Sequence, residues 1–310
     1  MRSRFGSRVR TLLVTGVVTA ATAAVAVALP ATATAQPVAP VAPAPSPAWA
    51  PAAAAAIHPG VLTVTTGGGS CTGNFVFTDG SRTFLGQAAH CAGTGEASET
   101  DGCTSATKGL GTEVAVTGAT RKGVLVYSSW VTMQARGERN PDICAGNDFA
   151  LVELDPADVA AVNPSMPFFG GPTGVGTDGL PEGAQTYTYG NSPLRGGISV
   201  LSPKTGVSAG DTDGGWGHEV YTVSPGVPGD SGSGYLDAKG RAVGILSTLN
   251  LAPLPVSNGV ADLAHALTYA NTYGGLGHVE LVRGTEPFTS SPAGVDPREV
   301  SSPAGPPIAG

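Results

Sequence analysis

The chain has 310 residues, of which 41% are hydrophobic and only 13% are charged, and its net charge at pH 7 is −7. This hydrophobic content is too high for a chain that is disordered throughout, and the acidic balance argues against binding of nucleic acid through clustered Lys and Arg. The 46 glycines and 26 prolines favour short strands joined by turns over a helical bundle.

The first 35 residues have the features of an export signal. Four arginines lie within the first ten residues, an apolar run follows over residues 12–29, and Ala-Thr-Ala at residues 33–35 offers a cleavage site. The alternative is an uncleaved membrane anchor, because the run is nearly long enough to span a bilayer. The run consists mainly of Ala, Val and Thr, however, and it ends at the cleavage site. We therefore expect a secreted, extracellular protein without stable membrane insertion after cleavage.

Two segments contain too few large apolar residues to form a core. Residues 36–56 are almost all Pro and Ala and predict a semi-rigid linker or a short pro-segment. Residues 286–310 are rich in Pro, Ser and Gly and predict a disordered tail. The folded domain is therefore expected over residues 57–285.

Within this domain, short β-branched or aromatic runs bounded by turn residues predict strands. These runs are residues 61–66, 74–78, 83–87, 114–116, 123–131, 149–154, 186–189, 198–201, 219–223 and 242–248. A Gly- and Pro-rich stretch over residues 163–183 divides them into two groups. One helix is predicted over residues 261–271, where Leu263, Ala266, Leu267 and Ala270 fall on one face. Many short strands and one late helix predict barrels or a sandwich.

The four cysteines are an even number in a chain that is expected to be exported, which favours disulfides. Three pairings are possible, and the simplest joins neighbours, Cys71 to Cys91 and Cys103 to Cys144. A metal site is the alternative, but no Cys-x-x-Cys spacing and no histidine cluster accompany the cysteines. We therefore expect no metal.

Three segments carry the side chains that nucleophilic catalysis by a serine requires. His90 ends the segment Gly-Gln-Ala-Ala-His, Asp148 leads into an apolar strand, and Ser231 lies in Pro-Gly-Asp-Ser-Gly-Ser-Gly. A serine hydroxyl needs an adjacent base, which imidazole provides, and a carboxylate fixes the imidazole tautomer and stabilises its charged form. The glycines around Ser231 permit a tight turn, so that the N–H groups of Gly229 and Ser231 can bind a developing oxyanion.

Two other acidic residues compete with Asp148 for the role of the carboxylate. Asp155 precedes a proline and is typical of the end of a strand, and Asp142 follows a proline in a loop. Asp148 is preferred because the apolar run starts directly after it.

In this order, His, Asp and Ser, the segments resemble the motifs of the chymotrypsin/trypsin-like serine peptidase family, in its secreted bacterial type. The resemblance covers about residues 60–275. It implies an all-β fold of two antiparallel six-stranded β-barrels, about 57–165 and 166–285, with a C-terminal α-helix and the active site between the barrels. It further implies that Cys71–Cys91 tethers the loop of His90.

The same resemblance implies the activity. The chain is expected to be a serine endopeptidase that cleaves proteins or peptides through an acyl-enzyme intermediate, as a monomer and without a cofactor. A catalytically silent binding module on the same scaffold is one alternative, although the chain keeps all three triad residues. An esterase that uses the same triad is another. An α/β-hydrolase is disfavoured, because the serine comes last and lacks the Gly-x-Ser-x-Gly elbow.

The sequence departs from the family pattern near the nucleophile. The start at Ile57 does not match the Ile-Val-Gly-Gly terminus whose amine pairs with the acidic residue before the nucleophile, so Asp230 needs another cation. Arg195 is a possible partner, and a solvated loop arginine is the alternative. Ser233 replaces a glycine of the family motif, and because it follows the oxyanion donors we expect it to have little effect on the chemistry.

The pocket for the side chain before the scissile bond also differs. Pro225 occupies the position of the acidic residue with which trypsin-like members bind Lys or Arg, so basic specificity is not supported. Ser247-Thr248-Leu249 occupies the position of Ser-Trp-Gly, and Leu249 would narrow the entrance. We therefore expect a preference for small or medium apolar side chains.

Overall fold

The structure of the chain, a computed structural model, describes residues 48–96, 98–250 and 257–290. The predicted export signal, most of the predicted linker and residues 291–310 of the predicted tail lie outside these residues. The described residues form two antiparallel sheets with few helices, which confirms the mainly β class.

Fourteen strands are found in the described part of the chain. They are β1 (Leu62–Thr65), β2 (Ser70–Thr72), β3 (Val76–Thr78), β4 (Thr83–Gln87), β5 (Glu113–Val116), β6 (Gly123–Ser128), β7 (Ala150–Glu153), β8 (Gln185–Tyr189), β9 (Pro203–Thr212), β10 (Gly217–Thr222), β11 (Gly234–Asp237), β12 (Ala242–Asn250), β13 (Ser257–Asp262) and β14 (Glu280–Leu281). Short 3-10 helices lie at Ala52–Ala54, Ala89–Ala92, Pro156–Ala161, Pro193–Arg195, Ser199–Leu201 and Asp213–Gly215.

The first sheet has eight strands in the order β14-β3-β4-β7-β6-β5-β1-β2 and is open, whereas the sequence predicted a closed six-stranded barrel. β2 and β3 follow one another in the chain, separated by residues 73–75, but β2 is one edge strand of this order and β3 is the second strand from the other edge. Between them, Asn74 N–H donates to Gly86 O at 2.8 Å and Gly86 N–H donates to Phe75 O at 2.9 Å. Asn74 and Phe75 therefore both oppose Gly86, as in a β-bulge. This bulge separates β2 from β3, which as one continuous strand would close the barrel.

The second sheet is a closed barrel of six antiparallel strands, as the sequence predicted. Its order is β10-β13-β12-β11-β8-β9. The start of β9 alternates between buried and less buried residues, which places Lys204, Gly206 and Ser208 on its buried face. A buried lysine on this strand requires a partner for its charge.

Three α-helices lie in the described residues, and none of them is long and apolar enough to span a bilayer. They are α1 (Ser129–Arg136), α2 (Pro141–Gly146) and α3 (Leu263–Tyr273). Only α3 was predicted. The strand predicted over residues 123–131 ends at Ser128, because Trp130 and Met133 are buried on a helix that ends at Gly137, where φ is 66°. The strand predicted over residues 198–201 is instead a 3-10 helix.

α3 begins where Asp262 ends β13. The Asp262 side chain accepts the N–H of His265 at 2.7 Å and so caps the helix. The face predicted from the sequence is the buried one, with Leu263 and Ala266 fully covered. The helix therefore packs as its apolar pattern requires.

The two sheets share one buried core. A single cluster contains Phe75 and Phe149 from the first half of the chain and Tyr187 and Leu236 from the second. A Cβ on Gly234 would lie 2.5 Å from the ring of Phe75, so the approach of β11 to the first sheet requires a glycine at this position. At this contact the closed barrel packs directly against the first sheet.

Both ends of the described chain meet at Asn163, in the connection between the sheets. Its Nδ2 donates to Ala50 O at 2.7 Å and to Thr285 Oγ1 at 2.9 Å. Trp49 packs against the core of the first sheet, and Phe288 packs against the shared core. Ordered contacts thus extend beyond both predicted limits of the domain, and the limits of 57 and 285 stay predictions.

Candidate active site

His90 lies in the 3-10 helix Ala89–Ala92, just beyond the end of β4. The predicted disulfide Cys71–Cys91 forms, with 6.0 Å between its Cα atoms, and joins this turn to β2. His90 N–H donates to Asp148 Oδ1 at 2.8 Å, and Nδ1 of the ring lies 2.6 Å from Asp148 Oδ2. The carboxylate therefore holds both the backbone and the ring, and Nε2 is left for proton transfer.

Asp148 is buried between α2 and β7, with 4% of its side chain exposed. Its Oδ2 also accepts the hydroxyl of Ser247 at 2.6 Å. Burial alone would raise the pKa of Asp148, but the charge of His90 and the hydrogen bonds from His90 and Ser247 outweigh burial and hold the pKa below its ordinary value. Asp148 therefore stays ionised and can stabilise a protonated His90.

The pKa of His90 is shifted upwards, in the opposite direction to that of Asp148. Burial would lower the pKa of His90, but the charge of Asp148 and its hydrogen bond raise the pKa above its ordinary value. The side chain remains 25% exposed, so a substrate can reach it. A stronger base accepts a proton from a serine hydroxyl more readily.

Ser231 is held against the wall of the cavity that carries His90. Its carbonyl accepts the N–H of Thr72 at 2.7 Å. The next residue, Gly232, has a φ of 87°, and a Cβ there would lie 2.5 Å from Thr72 O, so this close approach requires glycine. Because Thr72 follows Cys71, the backbone of Ser231 is bonded to the strand that the disulfide joins to the turn of His90.

Ser231 and His90 line the same cavity, which has a volume of about 700 Å³. Of the three residues that the sequence predicted as a triad, His90 and Asp148 are therefore in contact, and Ser231 lies on the same cavity as His90. Within the described residues, the hydroxyl of Ser231 makes no hydrogen bond, to His90 or to any other group. Hydrogen bonds between catalytic groups often shorten only when a substrate is bound.

The turn before Ser231 leaves two N–H groups unused. Those of Gly229 and Ser231 make no hydrogen bond to any residue that the structure describes, whereas Asp230 N–H donates to Val227 O at 2.8 Å. Gly229 has a φ of 97°, which favours glycine. The two unused groups are those predicted as oxyanion donors, and unpaired N–H groups beside a nucleophile are what an oxyanion needs.

Asp230 is fully buried and paired with two cations. The guanidinium of Arg195 bonds both carboxylate oxygens, and Lys204 Nζ lies 2.8 Å from Oδ2. Burial alone would raise the pKa of Asp230, but the Arg195 hydrogen bond and the Lys204 charge hold the pKa below its ordinary value. The side chain of Arg195 is only 10% exposed, so the alternative of a solvated loop arginine is wrong.

Sequence reasoning missed Lys204. No sequence signal marked it, because the buried face of β9 carries Lys204, Gly206 and Ser208 and has no apolar pattern. Its Nζ also donates to the carbonyl of Pro225 at 3.1 Å. Lys204 therefore ties the start of the segment that carries the oxyanion donors to Asp230.

Four residues were predicted to form the pocket beside the scissile bond. They are Pro225, Ser247, Thr248 and Leu249. The last three line the cavity together with Leu246, and Pro225 does not. The hydroxyl of Ser247 is used by Asp148, a role that the sequence did not reveal because the two residues are 99 positions apart.

Two groups of residues in the described ranges are close enough to hold a metal ion. They are Cys71 with His90 and Cys91, and Asp101 with Cys103 and Cys144. In both groups the two cysteines form the predicted disulfide, and a disulfide sulfur is not a thiolate ligand. Neither group therefore offers thiolates to a metal.

Comparison with solved structures finds bacterial serine proteases, the family that the motifs resemble. Protease A of Thermobifida fusca is 19% identical, with 74% of this chain and 100% of that chain covered and a TM-score of 0.46. A Nocardiopsis protease is 18% identical, with 73% and 98% covered and a TM-score of 0.44. Cellulomonas bogoriensis chymotrypsin is 16% identical, with 73% and 98% covered and a TM-score of 0.45. No protein-family model and no curated protein matches the chain.

Proposed function

We propose that the chain is a secreted serine endopeptidase with the triad His90, Asp148 and Ser231. The observation that supports this most strongly is the 2.6 Å contact between His90 Nδ1 and Asp148 Oδ2, beside a cavity that Ser231 also lines. A buried carboxylate in this position fixes the histidine tautomer and stabilises its charged form, which is the arrangement that activates a serine hydroxyl.

The reaction proceeds in two halves. Ser231 Oγ attacks the substrate carbonyl while His90 Nε2 takes its proton, and the N–H groups of Gly229 and Ser231 bind the oxyanion. His90 then protonates the leaving amine, and the acyl group stays on Ser231. A water molecule, deprotonated by His90, releases the acyl group and restores the hydroxyl.

The substrate side chain before the scissile bond is small or medium and apolar. The cavity wall formed by residues 226–229 and 246–250 carries Val227, Leu246 and Leu249 and no charged residue. A wall that carries these apolar side chains and no charge favours an apolar side chain. The two carboxylates that line the cavity, Glu96 and Glu99, lie on the segment after His90 and not on this wall. A panel of fluorogenic peptides should show apolar residues cleaved fastest, and clearly faster cleavage after Arg or Glu would contradict this specificity.

Activity does not require a new terminus at Ile57. The side chain of Ile57 is fully buried, and its N–H donates to Ala161 O at 3.1 Å. Asp230 already has Arg195 and Lys204 as partners, so it needs no terminal amine. We infer that the chain is active with residues 48–56 still attached.

The setting proposed for the enzyme is extracellular. The basic and apolar start of the chain has the composition of an export signal, and two disulfides persist in oxidising compartments. The substrates are proteins or peptides, and the acidic charge argues against nucleic acid as a partner. The enzyme acts as a monomer.

Labelling with a fluorophosphonate probe tests the proposal. The folded protein should be labelled at Ser231 and should cleave peptides, and Ser231→Ala should lose both properties. Ser81→Ala, which changes an exposed turn serine, is the control and should keep both. Absence of labelling in the folded protein would favour a binding module, and ester hydrolysis without any peptide cleavage would favour an esterase.

A further inference from the structure

Ser233 makes two hydrogen bonds to one carbonyl in the turn of Ser231. Its hydroxyl donates to Asp230 O at 2.5 Å, and its N–H donates to the same oxygen at 3.0 Å. The residue is 1% exposed, so water does not compete for either bond. The family motif has glycine at this position, which could supply only the N–H bond.

The carbonyl that Ser233 binds belongs to the peptide unit of an oxyanion donor. Asp230 C=O and Ser231 N–H are parts of one planar peptide group, and in a trans peptide they point in opposite directions. Ser233 draws the carbonyl into the protein interior, and the N–H of Ser231 is thereby turned away from it. That N–H has no other partner among the residues described.

Two effects follow for the donor. A rotation of this peptide would break both bonds from Ser233, so the direction of Ser231 N–H is fixed before a substrate binds. Donors on a carbonyl also polarise its peptide group, which strengthens the N–H as a donor. Both effects act on the N–H that binds the developing oxyanion. They therefore stabilise the transition state more than the bound substrate.

We propose that Ser233 is a positioning residue of the oxyanion hole, whose hydroxyl orients and polarises the Asp230–Ser231 peptide. This inference rests on the proposed function, because it assigns Ser231 N–H to an oxyanion. It corrects the expectation from the sequence that Ser233 has little effect on the chemistry.

The test compares Ser233→Ala with Ser233→Thr and with a matched control. Ser208→Ala removes another buried serine, whose hydroxyl donates to Leu180 O at 2.7 Å away from the cavity. Both alanine variants lose one buried hydroxyl-to-carbonyl bond, and Ser208→Ala also loses the bond that Ser208 Oγ accepts from Gly210 N–H at 2.9 Å, so its fall in thermal midpoint should be at least as large as that of Ser233→Ala. Only Ser233→Ala should change catalysis, and Ser233→Thr, which keeps the hydroxyl, should restore it.

The expected result is specific for the transition state. Loss of a whole oxyanion donor lowers kcat by about 100- to 1,000-fold. Ser233→Ala keeps the donor, Ser231 N–H, but leaves its peptide free to rotate, so we expect a fall in kcat of about tenfold. KM should stay within about twofold of the wild type. The affinity for a peptide aldehyde, whose hemiacetal oxygen occupies the oxyanion position, should fall by the same factor of about ten as kcat. If Ser233→Ala does not fold, Ser233→Gly replaces it, with the same expected losses.

Three results would overturn the proposal. The first is wild-type kcat and aldehyde affinity in Ser233→Ala with only a lower midpoint. The second is an equal loss of kcat in Ser208→Ala, and the third is a failure of Ser233→Thr to recover kcat although it folds. A wild-type protein that is neither labelled at Ser231 nor active would instead refute the proposed function, and the role of Ser233 would fall with it.

Discussion

Removal of either cation beside Asp230 should weaken the fold and the oxyanion turn together. Asp230 is completely buried, and Arg195 and Lys204 are 10% and 4% exposed, so water screens neither pair. Breaking a buried pair costs about 3–5 kcal/mol when the remaining charge is left alone. Arg195→Ala leaves Lys204 in place, and we therefore expect the lower end of that range, about 3 kcal/mol.

This magnitude is large enough to measure. For a domain of this size, about 3 kcal/mol corresponds to a fall of roughly 6–12 °C in thermal midpoint. Lys204→Met should lose a similar amount, because it also frees the carbonyl of Pro225. The double variant leaves the carboxylate without a cation, so its loss should exceed the sum of the two single losses. Turnover should also fall, and further in the double variant than in either single variant, because Asp230 and Ser231 are joined by one peptide group.

The dependence on pH separates a charge effect from lost packing. The pKa of Asp230 is lowered in the folded state, so its pairing contributes stability above the unfolded pKa, and this stability is lost as pH falls through the folded pKa. Without Arg195 the folded pKa rises. Acid unfolding of the variant should therefore begin at a higher pH than that of the wild type.

The measurement is urea unfolding between neutral and acidic pH, together with kcat and KM for each variant. Arg121→Ala is the control, because Arg121 is 68% exposed and lies 3.7 Å from Asp155. An exposed pair of this kind contributes at most about 1 kcal/mol. The reasoning is refuted if Arg195→Ala keeps the wild-type midpoint and turnover, or if it loses no more than the control.

Two further predictions concern the triad and its tether. Because the pKa of His90 is raised, kcat/KM should rise with pH at a midpoint above the ordinary histidine pKa of about 6.5. In Asp148→Asn, kcat should fall by about 10⁴-fold. A pH profile of this variant that shows little loss of rate would contradict the triad. The Cys71–Cys91 bond closes a loop of 20 residues, so replacing both cysteines by alanine should cost about 3 kcal/mol of unfolding free energy. Turnover should fall with it, because the bond holds the turn of His90, and a urea titration that shows no loss would refute the tether.

The proposed triad could be identified in the sequence because each member lies in a local pattern. His90 precedes a cysteine at the end of a strand, Asp148 precedes an apolar run, and Ser231 lies between glycines. Neighbour pairing of the cysteines and the apolar face of α3 were local patterns as well. Each signal spans a few residues, and the three catalytic motifs became specific because they occur together in the order His, Asp and Ser.

The contacts that support the triad depend on residues far apart in the chain. Lys204 meets Asp230 across 26 positions, and Ser247 meets Asp148 across 99. Neither pairing has a local signature, because the closed barrel and the junction between the sheets bring the partners together. α1 was missed for a related reason: Trp130 and its valine neighbour favour a strand locally, and tertiary burial decides for a helix.

The first sheet was predicted as a closed barrel because the resemblance to the serine peptidase family implies one, whereas its apolar runs alone predicted barrels or a sandwich. The interruption at Asn74 and Phe75 was not visible. It depends on Gly86, where a Cβ would lie 2.0 Å from Asn74 Oδ1, and this contact exists only once β3 and β4 are paired. A bulge is a property of two strands, and one strand's sequence does not reveal it.

The hydrogen bonds of Asn163 have a consequence for engineering. Because one amide bonds both Ala50 and Thr285, residues near the two ends of the described chain lie side by side, and a short flexible peptide could join them. New ends could then be opened between Arg139 and Asn140, which are both exposed and lie between α1 and α2. Such a circularly permuted chain would keep every strand pairing while releasing its termini at a different edge of the molecule.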